Sequence, residues 1–251
     1  MKLALECPTR MLNMVQPFAD FDFLLAHKVL KEADYLEYYK KSSNVQILDN
    51  SVNELGQPMT TEEIKQAYEA LENPRAFVVA PDFIGNVTKT LEAFKTFAEA
   101  FPLDRIIPVV QGKDLIEAIA CTQLYINIYN ENKVNLRLSI PYDIGSLKTD
   151  PVTVMAVRRA LFINAAVPET VSVHLLGFTC IDEFTWYHHK KNVETIDTGA
   201  PILLGLQEAD ILEPIKDKSQ PTLNLMEGLE MKPKTWAAIC RNLALMRKYM
   251  P

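Results

Sequence analysis

Acidic and amide residues recur at the ends of short apolar runs, and side chains of these types can donate, accept or transfer protons. Four such residues are Asp49, Asp82, Gln111 and Asp197. A short β-branched run bounded by Gly, Pro, Asn or Asp predicts a buried parallel strand. Polar residues at the carboxyl ends of such strands face the active site in βα-barrel enzymes. The pattern therefore predicts that the four side chains converge and that the protein is an enzyme.

Strand-like and helix-like segments alternate along the chain. The predicted strands are residues 3–6, 45–49, 77–81, 106–110, 136–140, 172–176, 193–197 and, as an eighth, 201–206. Such alternation predicts parallel strands joined by right-handed crossovers. Eight strands in 251 residues favour an α/β protein with a (β/α)8 TIM-type barrel as a single domain, residues 1–251, over an open doubly wound sheet.

The helical patterns carry their own start and stop signals. Thr60 and Glu63 form a capping-box pattern, which predicts the start of a helix that ends before Pro74. Further helices are predicted at 87–101, at 151–166 with Pro151 in the first turn, and at 234–249. Residues 207–233 are predicted to be an irregular excursion before the last helix.

The overall charge bears on the kind of partner. A net charge of −6 and a pI near 5.3 argue against non-specific coating of nucleic acid, which needs many Lys and Arg side chains. Two local segments could still contact phosphates: Lys190 with Lys191, and the basic cluster at 232–248. A solvated helix face is the alternative interpretation of both.

Several other classes of site have no signal in the sequence. The cysteines Cys7, Cys121, Cys180 and Cys240 show no zinc-ligand spacing, so we expect no metal. Reduced thiols are typical of the cytoplasm, or of a host's cytoplasm for a viral protein. There is neither a membrane-length apolar run nor a secretory signal pattern. Neither GxGxxG nor GxxxxGK[ST] occurs, so we expect no nucleotide cofactor.

The order of the strand-end motifs resembles the tRNA-guanine transglycosylase superfamily, in character most of all its phage and bacterial DNA-guanine transglycosylase branch. The resemblance covers roughly residues 45–201 and rests on Asp49-Asn50-Ser51, Val79-Ala80-Pro81-Asp82, Val110-Gln111-Gly112, Leu175-Leu176-Gly177 and Ile196-Asp197. It implies that Asp197 is the nucleophile and Asp49 the general acid/base. Asp82 and Gln111 would bind the edge of the guanine.

The same resemblance implies a base pocket around these residues. Its further members are Asn50, Ser51, Gly112, Leu176 and Gly177. Phe83 and Tyr142, each beside a predicted strand end, are our candidates for an aromatic lid on the base.

The sequence departs from the family pattern in ways that bear on the substrate. Val52-Asn53 replaces the family's Gly-Gly after Asp-Ser, and residues 138–142 stand where the family has Gly-Gly-Leu. The Cys-x-Cys-x-x-Cys…His zinc subdomain of the tRNA enzymes is missing. Because that subdomain contributes to tRNA binding, the comparison favours DNA as the polymer. A free 7-deazaguanine base such as preQ0 would be the second substrate.

Two aspartates form the minimal set for exchanging a base at C1′ of a nucleoside. The transition state has oxocarbenium character, and a carboxylate can trap the sugar as a covalent intermediate. The leaving guanine needs a proton and the incoming base must lose one, which a single acid/base residue can do. Asp197 and Asp49 would fill these two roles, through an aspartyl-glycosyl intermediate.

Each assignment has a purely structural alternative. Asp49 and Asp82 could cap helices, and Asp197 could form an Asx-turn with the Thr-Gly that follows it. His27 and His174 are expected to pack rather than react, since His174 lies inside a predicted strand.

Two other functions fit the same residues. A hydrolase could release a deazaguanine base from a nucleoside or nucleotide for salvage, with water as the second nucleophile. The acidic net charge favours such a small substrate. A non-catalytic nucleotide-binding barrel is the third alternative, which the presence of all three aspartates disfavours. The sequence does not predict the oligomeric state.

Overall fold

Strands and helices alternate in the part of the chain that the computed structural model describes, residues 1–145, 150–213 and 221–251. The strands are β1 (Lys2–Leu5), β2 (Asp22–Leu25), β3 (Gln46–Asp49), β4 (Phe77–Val79), β5 (Ile106–Ile107), β6 (Arg137–Pro141), β7 (Ser172–Leu176) and β8 (Val193–Thr198). The α-helices are α1 (Leu12–Val15), α2 (Ala26–Lys31), α3 (Ala33–Lys40), α4 (Val52–Leu55), α5 (Thr61–Ala70), α6 (Val87–Ala100), α7 (Leu115–Glu131), α8 (Val152–Ala166), α9 (Ala200–Leu206), α10 (Thr222–Glu227) and α11 (Pro233–Tyr249).

The strands form two four-stranded parallel sheets, with strand orders β1-β8-β7-β6 and β2-β3-β4-β5. Because paired strands run in the same direction, their carboxyl ends lie along one edge of each sheet. In the first sheet, Asp197 is in register with Ala4, and His174 with Thr195. In the second, Asp49 is the last residue of β3. The predicted α/β architecture with parallel strands is confirmed.

The strands are buried because helices cover them, as expected for parallel sheets. Their interior residues are almost inaccessible to solvent, among them Leu3, Leu24, Leu48, Val78, Ile107, Leu138, Leu175 and Ile196. Apolar faces of the helices pack against them, including Ile64 of α5, Phe97 of α6 and Tyr125 of α7. The core therefore fixes the strand ends from which the polar side chains project.

The prediction of a strand at 201–206 is wrong, because these residues form the helix α9. Every residue of α9 is buried, so the sequence shows a continuous apolar run without helical periodicity. A short run of this kind does not distinguish a buried strand from a buried helix. The prediction also missed β2, which is only four residues long.

The predicted helices are present with small differences at their ends. The capping box of α5 is confirmed, since Glu63 N donates to Thr60 Oγ1 at 3.2 Å and Thr60 N donates to Glu63 Oε2 at 2.8 Å. Pro151 is the N-cap of α8 and lies just before its first turn. The irregular excursion at 207–233 contains α10, and its residues 214–220 lie outside the described residues.

No helix in the described ranges combines the length and the apolar character needed to span a membrane.

Gly205 allows α9 to pack closely against α11. A Cβ atom at this position would lie 2.4 Å from Ile239 Cγ1 and 2.6 Å from Ile239 N. We expect Gly205→Ala to lower the free energy of unfolding by about 1–3 kcal/mol, because the helices must separate. Urea denaturation would measure it. Gly228→Ala is the control, since no atom lies within 4 Å of a Cβ there. An equal effect of both substitutions would contradict the close-packing explanation.

Candidate active site

The two predicted catalytic carboxylates are buried at the carboxyl ends of strands in different sheets. Asp49 ends β3 and is 6% exposed, while Asp197 is the last residue but one of β8 and is 4% exposed. The two groups interact electrostatically, since the charge of Asp197 contributes to raising the pKa of Asp49. The two carboxyl groups therefore lie close enough for the charge of Asp197 to act on Asp49.

Two glutamates that the sequence prediction missed belong to the same group. Glu6 directly follows β1, where its N–H donates to Thr198 O at 3.0 Å, and Glu54 lies on α4. Burial raises the pKa of Glu6, and the charges of Glu54, Asp197 and Asp49 raise it further. Among the described residues, Glu6 Oε1 and Glu54 Oε2 are buried without a hydrogen-bonding partner. We call Glu6, Asp49, Glu54 and Asp197 the carboxylate cluster.

The protonated form of Asp49 is favoured. Burial raises the pKa of its carboxyl well above the usual value, and the neighbouring charges of Glu54, Asp197 and Asp82 act in the same direction. The backbone N–H of Ser51, which donates to Asp49 Oδ2 at 2.7 Å, opposes this only in part. A carboxyl group whose pKa is raised in this way is suited to donate a proton as a general acid.

Asp197 accepts a hydrogen bond from the main chain at the end of β7. The N–H of Gly177 donates to Asp197 Oδ1 at 3.1 Å. Gly177 has a φ of +75°, which favours glycine, and a Cβ there would lie 3.1 Å from the ring of Tyr142. The glycine of the Leu-Leu-Gly motif thus directs its N–H toward the carboxylate and leaves room for the Tyr142 ring.

His174 lies directly beside Asp197, although the sequence placed it only in the core. Its Nε2 is 3.1 Å from Asp197 Oδ1, and its Nδ1 is 3.0 Å from Thr195 Oγ1. The Nε2 contact has hydrogen-bonding distance but poor direction, so this nitrogen is buried without a well-aligned partner among the described residues. The ring is fully buried and stacks on Phe23. His174 therefore packs, as expected, and also contacts a predicted catalytic group.

Asp82 is held between two amides. Asn50 Nδ2 donates to Asp82 Oδ1 at 2.7 Å, and Gln111 Nε2 donates to Asp82 Oδ2 at 2.6 Å. Burial raises the pKa of Asp82 to about 6, although both amides favour the charged form. Asp82 does not cap a helix through its side chain, because Asn86 is the N-cap of α6.

Gln111 and Asn50 use their amide groups inside the protein. Gln111 Oε1 accepts from Gly85 N at 2.9 Å, and Asn50 Oδ1 accepts from Val52 N at 2.9 Å. Asn50 Nδ2 donates to Ala80 O at 2.7 Å as well. Both residues therefore orient Asp82 and the loops around it in this structure.

Local backbone geometry explains two further motif residues. Ser51 has a φ of +60°, and its Oγ accepts from the N–H of His27 at 3.3 Å. Gly112 has no space for a side chain, because a Cβ would lie 2.5 Å from the backbone N of Ala118 in α7. Ser51 and Gly112 thus shape the loops that carry Asp49 and Gln111.

The two candidate lid residues lie beside the site at different strand ends. Tyr142 N donates to Leu176 O at 3.0 Å, and burial raises the pKa of the Tyr142 hydroxyl to about 12. Phe83 is half-buried beside Asp82, with Lys89 Nζ 5.9 Å from its ring centroid. Tyr142 lies close to Gly177 and hence to Asp197, whereas Phe83 lies on the side of Asp82.

A buried ion pair supports the loop after β7. Arg159 of α8 and Glu183 are both fully buried and share two hydrogen bonds of 2.6 Å. Tyr187 and Thr179 also donate to the Glu183 carboxylate. Arg159 Nη1 donates to Leu176 O at 3.2 Å and to Gly177 O at 3.0 Å. The ion pair therefore holds the segment whose N–H contacts Asp197.

The basic residues selected from the sequence lie away from the carboxylates or pair with other acids. Lys190 and Lys191 precede β8, at the end of the sheet opposite Asp197. They therefore lie away from the strand carboxyl ends that carry Asp49, Asp82, Gln111 and Asp197. In the cluster at 232–248, four cations form ion pairs, namely Lys232 with Glu230, Lys234 with Glu208, Arg241 with Asp210, and Arg247 with Asp20.

Two surface clefts lie elsewhere. One of about 580 Å³ is lined by Gln46, Arg75, Phe77 and Arg105, which lie at or before the amino ends of strands. The other is lined by Thr9, Glu32 and Tyr38, among others. Within the described ranges, no group of three or more His, Cys, Asp or Glu side chains is arranged to hold a metal ion. The candidate site is therefore defined by the polar side chains at the strand ends and not by either cleft.

Asp82 should make the stability of the protein depend on pH. Its pKa is about 6 in the folded protein and 3.8 for an aspartate exposed to water, so the folded state holds the proton more tightly. The stabilisation is present below about pH 4 and is lost as pH rises through about 6, by about 3 kcal/mol. Urea denaturation of the wild type and of Asp82→Asn across this range would measure it. A constant difference between the two proteins would contradict the shift.

Comparisons with models of known protein families and with curated protein sequences find no match for this chain.

Proposed function

We propose that the protein is a base-exchange transglycosylase, which replaces guanine in nucleic acid with a 7-deazaguanine such as preQ0. The observation that carries the proposal is the pairing of two buried strand-end carboxyls with different surroundings. Asp197 accepts the Gly177 N–H and contacts His174, while Asp49 has a strongly raised pKa. Carboxyl groups with such distinct environments are suited to divide nucleophile and acid roles.

In the proposed first step, an Asp197 oxygen attacks C1′ of the nucleotide. The bond between C1′ and the guanine nitrogen breaks, and the proton of Asp49 passes to the leaving guanine. In the second step, Asp49 takes the N–H proton of the incoming deazaguanine, whose nitrogen attacks C1′ and breaks the ester to Asp197. Both carboxyl groups return to their starting states, so no cofactor is consumed.

Asp82 is the proposed recognition group for the base. A pKa of about 6 leaves its carboxylate ionised at neutral pH, when it can accept hydrogen bonds from the N–H and amino groups of guanine. Each carboxylate oxygen can accept more than the single bond that Asn50 or Gln111 donates. Their role in this proposal is to orient Asp82, and a rotated Gln111 amide could add a contact to the base.

The proposal includes closure of the two sheets into one (β/α)8 barrel. After β5, Val110 N donates to Ser139 O at 3.0 Å, and Ser139 N donates to Pro108 O at 2.9 Å. Before β2, Asp20 N donates to Leu3 O at 2.7 Å. These bonds link the sheets on both sides and support a ring in the order β1 to β8. An experimental structure with the two sheets apart would contradict closure.

Incorporation of an isotopically labelled preQ0 base tests the activity. Purified protein is incubated with the base and with guanine-containing DNA, tRNA or deoxyguanosine, and the digested products are analysed by mass spectrometry. We propose DNA first, following the branch that the sequence resembles in character. Label found only in tRNA would show that the polymer substrate is tRNA and not DNA, with the same exchange chemistry. Release of free base without incorporation would favour the hydrolase, and no reaction with any substrate would contradict the proposal.

Lys89 and Lys113 are the proposed phosphate contacts in the nucleic-acid complex. Both follow strand carboxyl ends, near Asp82 and Gln111 respectively. Lys113 also pairs with Glu117 at 2.7 Å, but its side chain is 71% exposed and accessible to a phosphate. We expect the double charge reversal Lys89→Glu and Lys113→Glu to weaken DNA binding. It should also reduce the slope of log affinity against log salt by about 2. Reversal at Lys190 and Lys191 is the matched control and should leave the slope unchanged. The opposite pattern would place the nucleic acid at the amino ends of the strands.

A further inference from the structure

The outer faces of α7 and α8 carry almost no charge. In these two helices, which are described throughout, eight residues of α7 and six of α8 are exposed, and only Glu131 at the end of α7 is charged. The exposed large apolar residues are Ile116, Ile119 and Leu124 of α7 and Val154, Val157 and Leu161 of α8. On α8, residues 154, 157 and 161 follow helical spacing and form one stripe.

Other surface helices of this protein differ from α7 and α8. Of the five exposed residues of α5, Gln66 is the only one without a charge. The inner faces of α7 and α8 are apolar as well, since Tyr125 and Ala160 are fully buried. A helix with large apolar residues on its outer face as well as its inner face, and almost no charge, is typical of a position covered on both sides. The outer faces of α7 and α8 therefore indicate a surface that is covered in the functional protein.

The size of this face matches one side of a stable protein interface. α7 has 17 residues and α8 has 15, so they are about 25 Å and about 22 Å long. Helices packed side by side lie about 8–10 Å apart, which makes the pair about 20 Å wide. These dimensions give about 500 Å² in projection, and the relief of the side chains raises the accessible surface to on the order of 800 Å². That is about the area each partner of a stable complex buries.

We propose that the face formed by α7 and α8, here called the α7/α8 face, binds the same face of a second copy of this chain. An interface with a twofold axis brings identical patches together, so an uncharged patch meets an uncharged patch. Lipid binding would favour Lys and Arg around the apolar stripe, and nucleic acid would need them for phosphates. Arg158 does not supply such a charge, since it pairs with Asp150.

The dimer would leave the carboxylate cluster open. The α7/α8 face is on the side of the helices away from the strands, whereas the cluster lies at the strand carboxyl ends. The inference therefore does not depend on the proposed base exchange. Measurements of oligomeric state can test it without a substrate.

Sedimentation velocity of the full chain tests the proposal directly. We expect the protein to sediment as a dimer at about 100 μM, and dilution to about 1 μM would follow its dissociation. The double substitution Ile116→Glu and Leu161→Glu should raise the dimer Kd by about 100-fold or more, because like charges would be buried against each other. Glu at position 116 lies in the first turn of α7, where a negative charge favours the helix.

Val45→Glu is the matched control for introducing charge. Val45 is 54% exposed, close to the 53% of Leu161, and lies outside the α7/α8 face. It should leave the Kd unchanged, and circular dichroism with thermal melting would confirm that all variants are folded. A wild type that stays monomeric at about 100 μM would overturn the proposal, including the case in which it binds lipid vesicles instead. A dimer that survives the double substitution would overturn it as well.

Discussion

Asp197→Asn is expected to reduce base exchange by about a thousandfold or more. The amide keeps the shape of the side chain and can still accept the Gly177 N–H, but it lacks the charge that would attack C1′ in the proposed mechanism. Incorporation of labelled base, measured beside thermal melting, separates loss of chemistry from loss of folding. We expect the melting temperature to stay the same or rise, because one charge leaves the carboxylate cluster.

Asp49→Asn provides the comparison that identifies the nucleophile. It removes the proton donor but leaves Asp197, so a substrate with a good leaving group should still form a covalent adduct. Peptide mass analysis after denaturation would locate that adduct on Asp197. Full exchange activity of Asp197→Asn, or an adduct on Glu6 or Glu54, would disprove the assignment.

Arg159→Met is expected to cause the largest loss of stability, about 3–5 kcal/mol in the free energy of unfolding. It leaves Glu183 fully buried without its cation, and a buried charge without a partner is strongly unfavourable. Urea denaturation would measure the change. Exchange activity should fall too, because Arg159 also holds the carbonyls of Leu176 and Gly177.

The neighbouring arginine is a matched control. Arg158 is partly exposed and pairs with Asp150, so Arg158→Met should cost less than about 1 kcal/mol. The double variant Arg159→Met with Glu183→Gln should recover part of the stability lost in the single variant, since no buried charge remains. A similar small effect of Arg158→Met and Arg159→Met would show that the buried ion pair contributes little.

The sequence predicted the strands best where a β-branched run ends in a polar residue. Such runs are typical of parallel strands, which are buried. Asp49 and Asp197 follow such runs, and in the structure both are buried near strand ends. The capping box of α5 was equally readable, since it depends on Thr60 and Glu63 alone. The prediction of a strand at residues 201–206 failed because a helix that is buried on all sides has no polar face to reveal its period.

The site was harder to predict where contacts join distant parts of the chain. Glu6 ends the first predicted strand, so the rule that selected Asp49 could have found it as well. Glu54 has no such signal, because it reaches the carboxylate cluster from a helix. His174 looked like a core residue, and only the register between β7 and β8 shows that its ring contacts Asp197.

The peptide group between Leu176 and Gly177 connects two charges that do not touch. Its carbonyl accepts from Arg159, and its N–H donates to Asp197. A hydrogen bond on one side of a peptide group polarises it and strengthens the bond on the other side. The cation on α8 therefore acts on the carboxylate of β8 through the electrons of a single amide. A change that weakens the bond from Arg159 to this carbonyl would make the Gly177 N–H a weaker donor to Asp197, with no atom of the site displaced.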